Sequence, residues 1–514
     1  MAELKSFTDI IQTGYTFQGD HFLLGVAMQD GKIIRGTNVF LPLKTMNRHG
    51  LIAGATGTGK TKTLQVIAEG LSDASVPVLL MDIKGDLSGI AAAGEINDRV
   101  KERYANAGAE YKPAAYPSEL LSLSEEKGVR LRSTVIEFGP ILMSRILSLN
   151  DTQEGVVSMI FKYCDDNQMA LLDLKDFIKV LQYISNEGKK EIEASYGKIS
   201  TTSTGTILRK VIELQQQGAD MFFGEPSFNV EDLMRISGDG RGMVNILRVT
   251  DMQNRPKLFS TFMLSLLAEL YASLPEEGDI DKPKLVLFID EAHLVFQEAT
   301  AALLQQIETI IKLIRSKGVG IFFITQNPQD IPASILSQLG LKVQHALRAF
   351  TAADRKTIKL AAENYPETTF YDVDELLTGL GIGEALVTLL NEKGIPTPLV
   401  HTMLVSPRSR MDILTAEEME GIVNHSALAK KYNVSIDSDS AYEILNRKLQ
   451  AAAAQDKQEE EQKAAAKPKK AAKEESFFDN TAVKQASRTA ASIITRSLLG
   501  ALGLGGRGKR KSLF

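Results

Sequence analysis

The sequence predicts an α/β fold built around a mainly parallel β-sheet with helices on both of its faces. Two observations support this prediction. Short apolar runs typical of buried strands alternate with amphipathic helical segments, and a glycine-rich loop lies between one such strand and one such helix. Strands of parallel sheets are apolar along their whole length because helices cover both faces. We place this core at residues 46–94 and 241–410.

A short β-rich segment, residues 1–45, precedes the core. Its two apolar stretches, Phe22–Ala27 and Lys32–Ile34, flank an Asp30-Gly31 dipeptide. Asp-Gly readily adopts the left-handed conformations that a two-residue hairpin turn requires. The sequence therefore predicts a β-hairpin at the start of the chain.

The glycine-rich loop, GATGTGKT, matches the pattern G-x-x-x-x-G-K-[ST] over its full length. Glycines at these positions turn backbone N–H groups inward around a phosphate. Lys60 would contact the β- and γ-phosphates of ATP, and the Thr61 hydroxyl would ligate Mg²⁺. The strand before the loop and the helix after it supply the expected context. The predicted ATP-binding residues are Gly54, Ala55, Thr56, Gly57, Thr58, Gly59, Lys60, Thr61 and Lys62.

A second strand, Lys284–Ile289, ends in the acidic pair Asp290-Glu291. In phosphate-loop enzymes an aspartate at this point holds Mg²⁺, and an adjacent glutamate takes a proton from the attacking water. We therefore predict Asp290 as a Mg²⁺ ligand and Glu291 as the catalytic base. A base on the strand itself indicates turnover of ATP to ADP and phosphate.

Further polar residues follow neighbouring strands. Strand Gly320–Thr325 leads into Gln326, and a parallel sheet would bring Thr325 and Gln326 beside Asp290, where the amide could orient water or report on the γ-phosphate. His293 has two open interpretations, a phosphate sensor or a structural histidine. The loop Asp82–Asp86, after the strand Val78–Met81, also lies where ligands meet a parallel sheet.

The remaining core elements follow from the same periodicity. The predicted strands are Met243–Val249, Lys342–Leu347, Glu384–Leu390 and Leu399–Leu404, and the predicted helices are Phe259–Tyr271 and Ala301–Arg315.

Residues 95–240 interrupt the core and are predicted to be mostly helical. Apolar residues recur there at helical spacing in four successive segments, which predicts a helical insertion packed beside the nucleotide domain. One stretch, Ser133–Phe138, is predicted as a strand. The single cysteine of the chain, Cys164, lies on a predicted apolar helix face, so we expect a buried structural thiol.

The C-terminal part changes composition twice. Helices are expected over 411–450, and residues 451–475 are rich in Ala, Lys and Glu, as in a solvated linker or a single helix without a core. Residues 476–514 form a basic tail. The chain carries a net charge of −5, yet residues 451–514 hold thirteen basic and seven acidic residues. Contact with a polyanion therefore requires the tail or a local basic surface.

Composition excludes several classes of protein. One cysteine and six scattered histidines exclude a disulfide framework and a zinc site. The N-terminus lacks the apolar core of a signal peptide, and no apolar run approaches the length that spans a bilayer. We therefore expect a cytoplasmic protein without membrane contact.

Longer blocks of sequence resemble the HerA–FtsK branch of RecA-like motor ATPases, and among them the bacterial HerA-like helicases of the YjgR type. The likeness spans roughly residues 20–405. The blocks that carry it include NRHGLIAGATGTGKT (47–61), MDIKGDLSG (81–89), FIDEAHLVF (288–296), IRSKGVGIFFITQNPQDIP (314–332) and QLGLKVQHALRAFTAADRK (338–356).

This resemblance implies a RecA-like core and an ATP-driven homo-hexameric ring that translocates on DNA. It also implies that an arginine from the neighbouring subunit completes the site. Arg315 matches the position of that arginine finger, and Arg348 is the second candidate. The family's N-terminal β-barrel, which docks a partner nuclease, has no counterpart in the 45 residues before the core, so we do not expect that partner.

Two other functions fit the same core. One is a motor that moves protein, and the other is a regulatory ATPase whose helical insertion binds a partner protein. The sequence shows no stripe of alternating aromatic and basic residues for single-stranded DNA, which favours the regulatory ATPase. The resemblance favours the DNA motor.

Overall fold

The computed structural model describes residues 6–251, 255–296, 301–434, 436 and 438–465 of the 514-residue chain. The chain divides into two compact units, Met1–Lys448 and Leu449–Phe514. The first unit contains the predicted core. Of the second, the described part is helical as far as Ala465, and the basic tail predicted at 476–514 lies outside the described residues.

One mixed sheet of twelve strands runs through the first unit. In chain order the strands are β1 (His21–Gln29), β2 (Lys32–Pro42), β3 (Gly50–Ala53), β4 (Val78–Asp82), β5 (Ser118–Ser122), β6 (Val129–Arg130), β7 (Val244–Arg248), β8 (Leu285–Ile289), β9 (Val319–Thr325), β10 (Leu341–Gln344), β11 (Glu384–Thr388) and β12 (Val400–Leu404). Their order across the sheet is β2-β1-β12-β11-β10-β3-β9-β8-β4-β7-β5-β6.

The sheet has a parallel and an antiparallel part. All pairs from β10 to β6 are parallel, and the pairs from β2 to β11 and between β11 and β10 are antiparallel. The predicted hairpin is β1–β2, and both of its turn residues, Asp30 (φ 50°) and Gly31 (φ 72°), are left-handed. Because β1 also pairs with β12, the N-terminal segment belongs to the same sheet as the core.

Helices lie in most of the longer connections between these strands, before β1 and after β12. They are α1 (Phe7–Tyr15), α2 (Lys60–Asp73), α3 (Asp98–Asn106), α4 (Val135–Ile146), α5 (Asp151–Asp166), α6 (Leu174–Ser185), α7 (Lys189–Ser195), α8 (Thr201–Gln216), α9 (Pro256–Ser273), α10 (His293–Phe296), α11 (Ala301–Ile314), α12 (Ala333–Leu336), α13 (Ala352–Ala362), α14 (Val373–Gly379), α15 (Ala416–His425), α16 (Ala427–Tyr432) and α17 (Ala441–Ala465).

The stretch Ser133–Phe138, expected as a strand, instead enters α4. Thr134 and Glu137 form a capping box there: the Glu137 side chain accepts from the Thr134 amide, and the Thr134 hydroxyl accepts from the Glu137 amide. This reciprocal cap starts a helix despite the β-branched residues around it.

Two strands that the sequence did not reveal, β5 and β6, lie within the range expected to be mostly helical. They extend the parallel part of the sheet beyond β7. Strands of five and two residues are too short to show a period. Apart from α3, the α-helices of residues 95–240 therefore follow β6 rather than filling the whole range.

The core positions the phosphate loop at the carboxyl ends of the central strands. Strands β3, β4, β8 and β9 are buried at every residue, as expected for a sheet covered on both faces. Helix α2 packs against β1, β3 and β4. The loop follows β3 and therefore lies at the carboxyl ends of the parallel strands. Within the described residues, no helix combines the length and apolarity needed to cross a bilayer.

Candidate active site

The phosphate loop connects β3 to α2 and is held by the strands beside it. The Gly54 amide donates to the Thr325 carbonyl at 3.3 Å, and the Ala55 amide donates to the Ala346 carbonyl at 2.8 Å. Gly54, Gly57 and Gly59 all have positive φ, between 78° and 150°. These conformations are open to glycine at little cost and curve the loop toward the start of α2.

Lys60 begins α2 and points its ammonium back into the loop. Its Nζ donates to the carbonyls of Gly54 (2.7 Å) and Ala55 (3.1 Å), and the residue is buried. The first amides of a helix have no partner within the helix and carry the positive end of its dipole. The loop therefore combines a buried cation with helix-terminal donors, which suits a phosphate.

Asp290 and Glu291 follow β8, which is separated from β3 only by β9. Both residues are buried, and Asp290 Oδ2 and Glu291 Oε2 have no hydrogen-bond partner. Burial raises the pKa of Asp290 to about 6, although the nearby Lys84 ammonium opposes that rise. Glu291 has φ 45°, an uncommon conformation for a residue with a side chain and one that is found at functional sites.

The loop after β4 adds a third carboxylate. Asp82 accepts hydrogen bonds from the amides of Gly85, Asp86 and Leu87, which fixes the loop. Asp86 Oδ2 then accepts from the Thr61 hydroxyl at 3.2 Å, and its buried Oδ1 has no hydrogen-bond partner. The loop thus brings Asp86 to the residue that the sequence assigns to Mg²⁺.

The oxygens of Thr61, Asp86 and Asp290 fit Mg²⁺. This ion prefers oxygen ligands, is bound through one or two carboxylates, and completes its shell with water and substrate phosphates. The described part of the chain contains no group of three or more His, Cys, Asp or Glu side chains placed to hold a metal. A site made of a hydroxyl and one or two carboxylates needs no such group.

Gln326 and Arg348 lie near the start of the phosphate loop. Together with Ala55 and Thr56 they line a cavity of 460 Å³. Thr325 itself is turned to Asp330, to which its hydroxyl donates at 2.5 Å. The structure therefore brings Gln326, but not the Thr325 hydroxyl, to the phosphate loop.

Arg315 lies at the amino ends of the parallel strands, opposite the phosphate loop. It is exposed and precedes β9, whereas the phosphate loop follows the carboxyl ends of β3 and β9. Seven strand residues span roughly 20 Å. Burial is the main cause that lowers the pKa of Arg48, and the charge of Arg315 is the second. Arg315 therefore lies near Arg48, which comes just before β3. Arg315 is thus not part of the site in its own chain.

Lys62, another residue predicted to bind the nucleotide, turns its side chain away from the loop. Its ammonium donates to the Met411 carbonyl at 2.5 Å and to Gln65 Oε1 at 3.3 Å. Only the backbone amide of Lys62 remains available to a phosphate. His293, whose role was left open, lies with its Nδ1 3.2 Å from Glu291 Oε2.

Comparison with known proteins identifies the family of the chain. Residues 28–510 match the family described as helicase HerA-like C-terminal. The chain belongs to this family. It is 23 % identical over 379 residues to the DNA double-strand break repair helicase HerA of Saccharolobus solfataricus, covering 72 % of this chain and 68 % of that protein. It is 24 % identical over 374 residues to the probable helicase MJECL08 of Methanocaldococcus jannaschii, covering 68 % of this chain and 66 % of that protein.

Solved structures share the fold of this HerA-like chain. The bacterial conjugative coupling protein TrwBΔN70 superimposes with a TM-score of 0.50 at 14 % identity, covering 79 % of this chain and 94 % of TrwB. TrwB in complex with the GTP analogue GDPNP gives a TM-score of 0.50 at 15 % identity, covering 78 % of this chain and 99 % of TrwB. Similarity at this level of identity establishes the RecA-like α/β fold alone.

Three residues of the HerA-like site were missed by sequence reasoning. Asp86 and Lys84 lie in the polar loop after β4, whose position was recognised although neither residue was assigned a role. His345 lies beneath the phosphate loop, where its Nε2 is 2.9 Å from the Thr63 hydroxyl. Burial lowers the pKa of His345 to about 3, so the ring is neutral. A Cβ at Gly54 would lie 2.5 Å from the His345 Cβ, so this approach requires glycine.

Proposed function

We propose that this chain hydrolyses ATP with Mg²⁺ and, as a homo-hexameric ring, couples hydrolysis to movement along DNA. The observation that carries the hydrolytic part is the buried pair Asp290 and Glu291 beside a complete phosphate loop, with Asp290 Oδ2 and Glu291 Oε2 left without a hydrogen bond. Burying carboxylate oxygens that are not hydrogen-bonded is costly, so such residues are retained where a ligand needs them.

Binding of the triphosphate would use the cation and the helix terminus. Lys60 would contact the β- and γ-phosphates, and the amides at the start of α2 would donate hydrogen bonds to phosphate oxygens. Thr61 and Asp290 would hold Mg²⁺, with Asp86 as a further oxygen next to Thr61. When bound, the ion neutralises charge that develops on the phosphates.

Glu291 would act as the general base. One of its oxygens, Oε1, is paired with the Lys84 ammonium, and the buried Oε2 is left to accept a proton from the attacking water. The Gln326 amide, in the cavity that Ala55 and Thr56 line, would orient that water. Lowering the barrier then depends on placing the base within hydrogen-bond reach of the water.

The ring accounts for the position of Arg315. An exposed arginine at the amino ends of the strands is remote from the site of its own chain, so it would serve the site of the next subunit. An arginine finger contributes roughly 10³–10⁵ in rate. Arg348, which shares a cavity with Ala55 and Thr56, would contact the phosphates from within the same chain.

A local surface supports DNA as the partner. Phe350 is 87 % exposed, although it lies in an ordered turn whose amides at Phe350 and Thr351 both donate to Asp354. Four exposed basic residues lie on the same turn and on α13, namely Arg348, Arg355, Lys356 and Lys359. An exposed aromatic ring among basic side chains suits stacking on bases and contact with phosphates. We call residues 348–359 the Phe350 surface.

We also propose that the chain is of the YjgR type, which its sequence blocks resemble. The two relatives described above are named DNA double-strand break repair helicase and probable helicase, at 23 % and 24 % identity. These names support DNA as the substrate.

The test is the ATPase rate with no DNA, with duplex DNA and with single-stranded DNA, across a salt series. Stimulation by DNA that weakens as salt rises is expected, because phosphate contacts release counterions. A rate that no DNA changes at any salt concentration would contradict the DNA motor and leave the regulatory ATPase as the better account.

A further inference from the structure

A second cavity, of 340 Å³, opens on the α2 side of the phosphate loop. Gly59, Lys62 and Thr63 form its floor at the first turn of the helix, and Ile382 and Met411 lie in its lining. It differs from the cavity that holds Gln326 and Arg348, which borders Ala55 and Thr56 at the start of the loop. The phosphate loop therefore has one cavity at each end.

Ile382 is presented by a backbone that Arg103 holds in place. The Arg103 guanidinium donates to the carbonyls of Ile382 (3.0 Å), Gly383 (3.1 Å) and Leu404 (2.8 Å). The Gly383 amide donates to the Thr58 carbonyl at 3.0 Å, which fixes this segment to the phosphate loop. Although its backbone is anchored, the Ile382 side chain is 71 % exposed.

Met411 is held by the polar face of α2. Glu69 accepts from the Arg408 and Ser409 amides, at 2.8 and 3.0 Å. Gln65 then donates to the Arg410 carbonyl at 2.8 Å, and Lys62 donates to the Met411 carbonyl at 2.5 Å. Three successive helical turns thus bind the segment 408–411, which leaves the Met411 side chain 40 % exposed at the cavity.

The position of this cavity points to the base of the nucleotide. In the proposed function Glu291 and Gln326 act at the γ-phosphate, and Gln326 shares a cavity with Ala55 and Thr56 at the start of the loop, so the α-phosphate and the nucleoside would leave the loop at the first turn of α2. Two apolar side chains on anchored backbone offer contact area at small entropic cost to a flat, apolar ligand. We propose that Ile382 and Met411 bind the purine base of the nucleotide through its faces. This inference rests on the proposed function.

The experiment compares a ligand that has a base with one that lacks it. Binding of Mg²⁺-ADP and of Mg²⁺-tripolyphosphate is measured by calorimetry for the unaltered chain, Ile382→Ala and Met411→Ala. Loss of two or three buried carbons in each variant should raise the Kd for ADP about 15- to 60-fold. The Kd for tripolyphosphate should stay unchanged, because it has no base.

Ile141→Ala is the matched control, since Ile141 is 66 % exposed on α4, and it should change neither constant. Equal weakening of both ligands by Ile382→Ala and Met411→Ala would overturn the inference, because those residues would then support the phosphate loop. An unchanged Kd for ADP would also overturn it. If the unaltered chain bound neither ligand, the proposed function itself would fail.

Discussion

Lys84 Nζ lies 2.5 Å from Glu291 Oε1 and 3.8 Å from Asp290 Oδ2. Burial alone would lower the pKa of Lys84, but the charges of Asp290 and Glu291 outweigh it and the pKa is raised. The ammonium is therefore charged and neutralises part of a buried carboxylate pair. It also limits the rise in the pKa of Asp290, which stands at about 6.

Replacing Lys84 should shift the pH dependence of hydrolysis. In Lys84→Met the ammonium no longer opposes burial, so the pKa of Asp290 should rise above 6. Hydrolysis needs the ionised carboxylate, so the acid limb of the pH–rate profile should move to higher pH. The profile of kcat/KM for the unaltered chain and the variant measures this shift.

Lys257→Met is the control for this change, because Lys257 pairs with Glu213 away from the site. Its profile should match that of the unaltered chain. An acid limb that stays in place in Lys84→Met would show that Lys84 does not set the charge of Asp290.

Lys60→Ala and Glu291→Gln should fail at different steps. Loss of the Lys60 ammonium removes charge from the phosphate cradle, so both ATP binding and turnover should fall. Glu291→Gln keeps the size of the side chain and removes the base, so ATP should bind and remain intact. Filter binding and phosphate release measure the two steps. Hydrolysis at the parent rate in Glu291→Gln would contradict the assignment of the base.

Asp290→Asn should stabilise the nucleotide-free protein while it abolishes hydrolysis. The folded-state pKa of Asp290 lies above its usual value of 3.8, so between about pH 4 and 6 the folded state holds more protons and this carboxyl destabilises the fold as pH rises. Removing it should raise the free energy of unfolding by about 1–3 kcal/mol at pH 8. Urea unfolding should show a smaller gain at pH 5. Equal gains at both pH values would contradict this explanation.

Mixed subunits should test whether Arg315 acts in the neighbouring site. Arg315→Ala and Lys60→Ala each inactivate every interface of a pure ring. In a mixture, some interfaces combine an intact phosphate loop with an intact arginine, so part of the activity should return. Light scattering checks assembly. A monomer that hydrolyses ATP at the full rate would contradict both the ring and the arginine finger.

Phe350→Ala should reduce DNA affinity and the factor by which DNA stimulates hydrolysis. Stacking on an aromatic ring contributes about 1–3 kcal/mol per base, so the Kd for single-stranded DNA should rise at least about fivefold. Fluorescence anisotropy measures that affinity, with Ile141→Ala as the exposed apolar control. Unchanged affinity would remove the Phe350 surface from the DNA contact.

The phosphate loop, the acidic pair after β8 and the mainly parallel sheet were predictable because each is encoded locally. A phosphate loop needs contiguous residues at fixed spacing, and a buried strand shows itself by its apolar run. The same logic identified the polar loop after β4. It failed at Ser133–Phe138, where the capping pair Thr134 and Glu137 outweighed strand propensity.

Tertiary structure alone decided which distant residues meet. Strand β4 pairs with β8, which brings Lys84 to Glu291, and the loop after β4 places Asp86 beside Thr61. The tertiary structure also separates Arg315 from the site of its own chain and places Ile382 and Met411 in the lining of one cavity. The exposure of Phe350 was equally hidden, because burial depends on what packs against a ring. Sequence spacing encodes contacts within one turn or one loop, whereas contacts between strands depend on the order in which the sheet assembles.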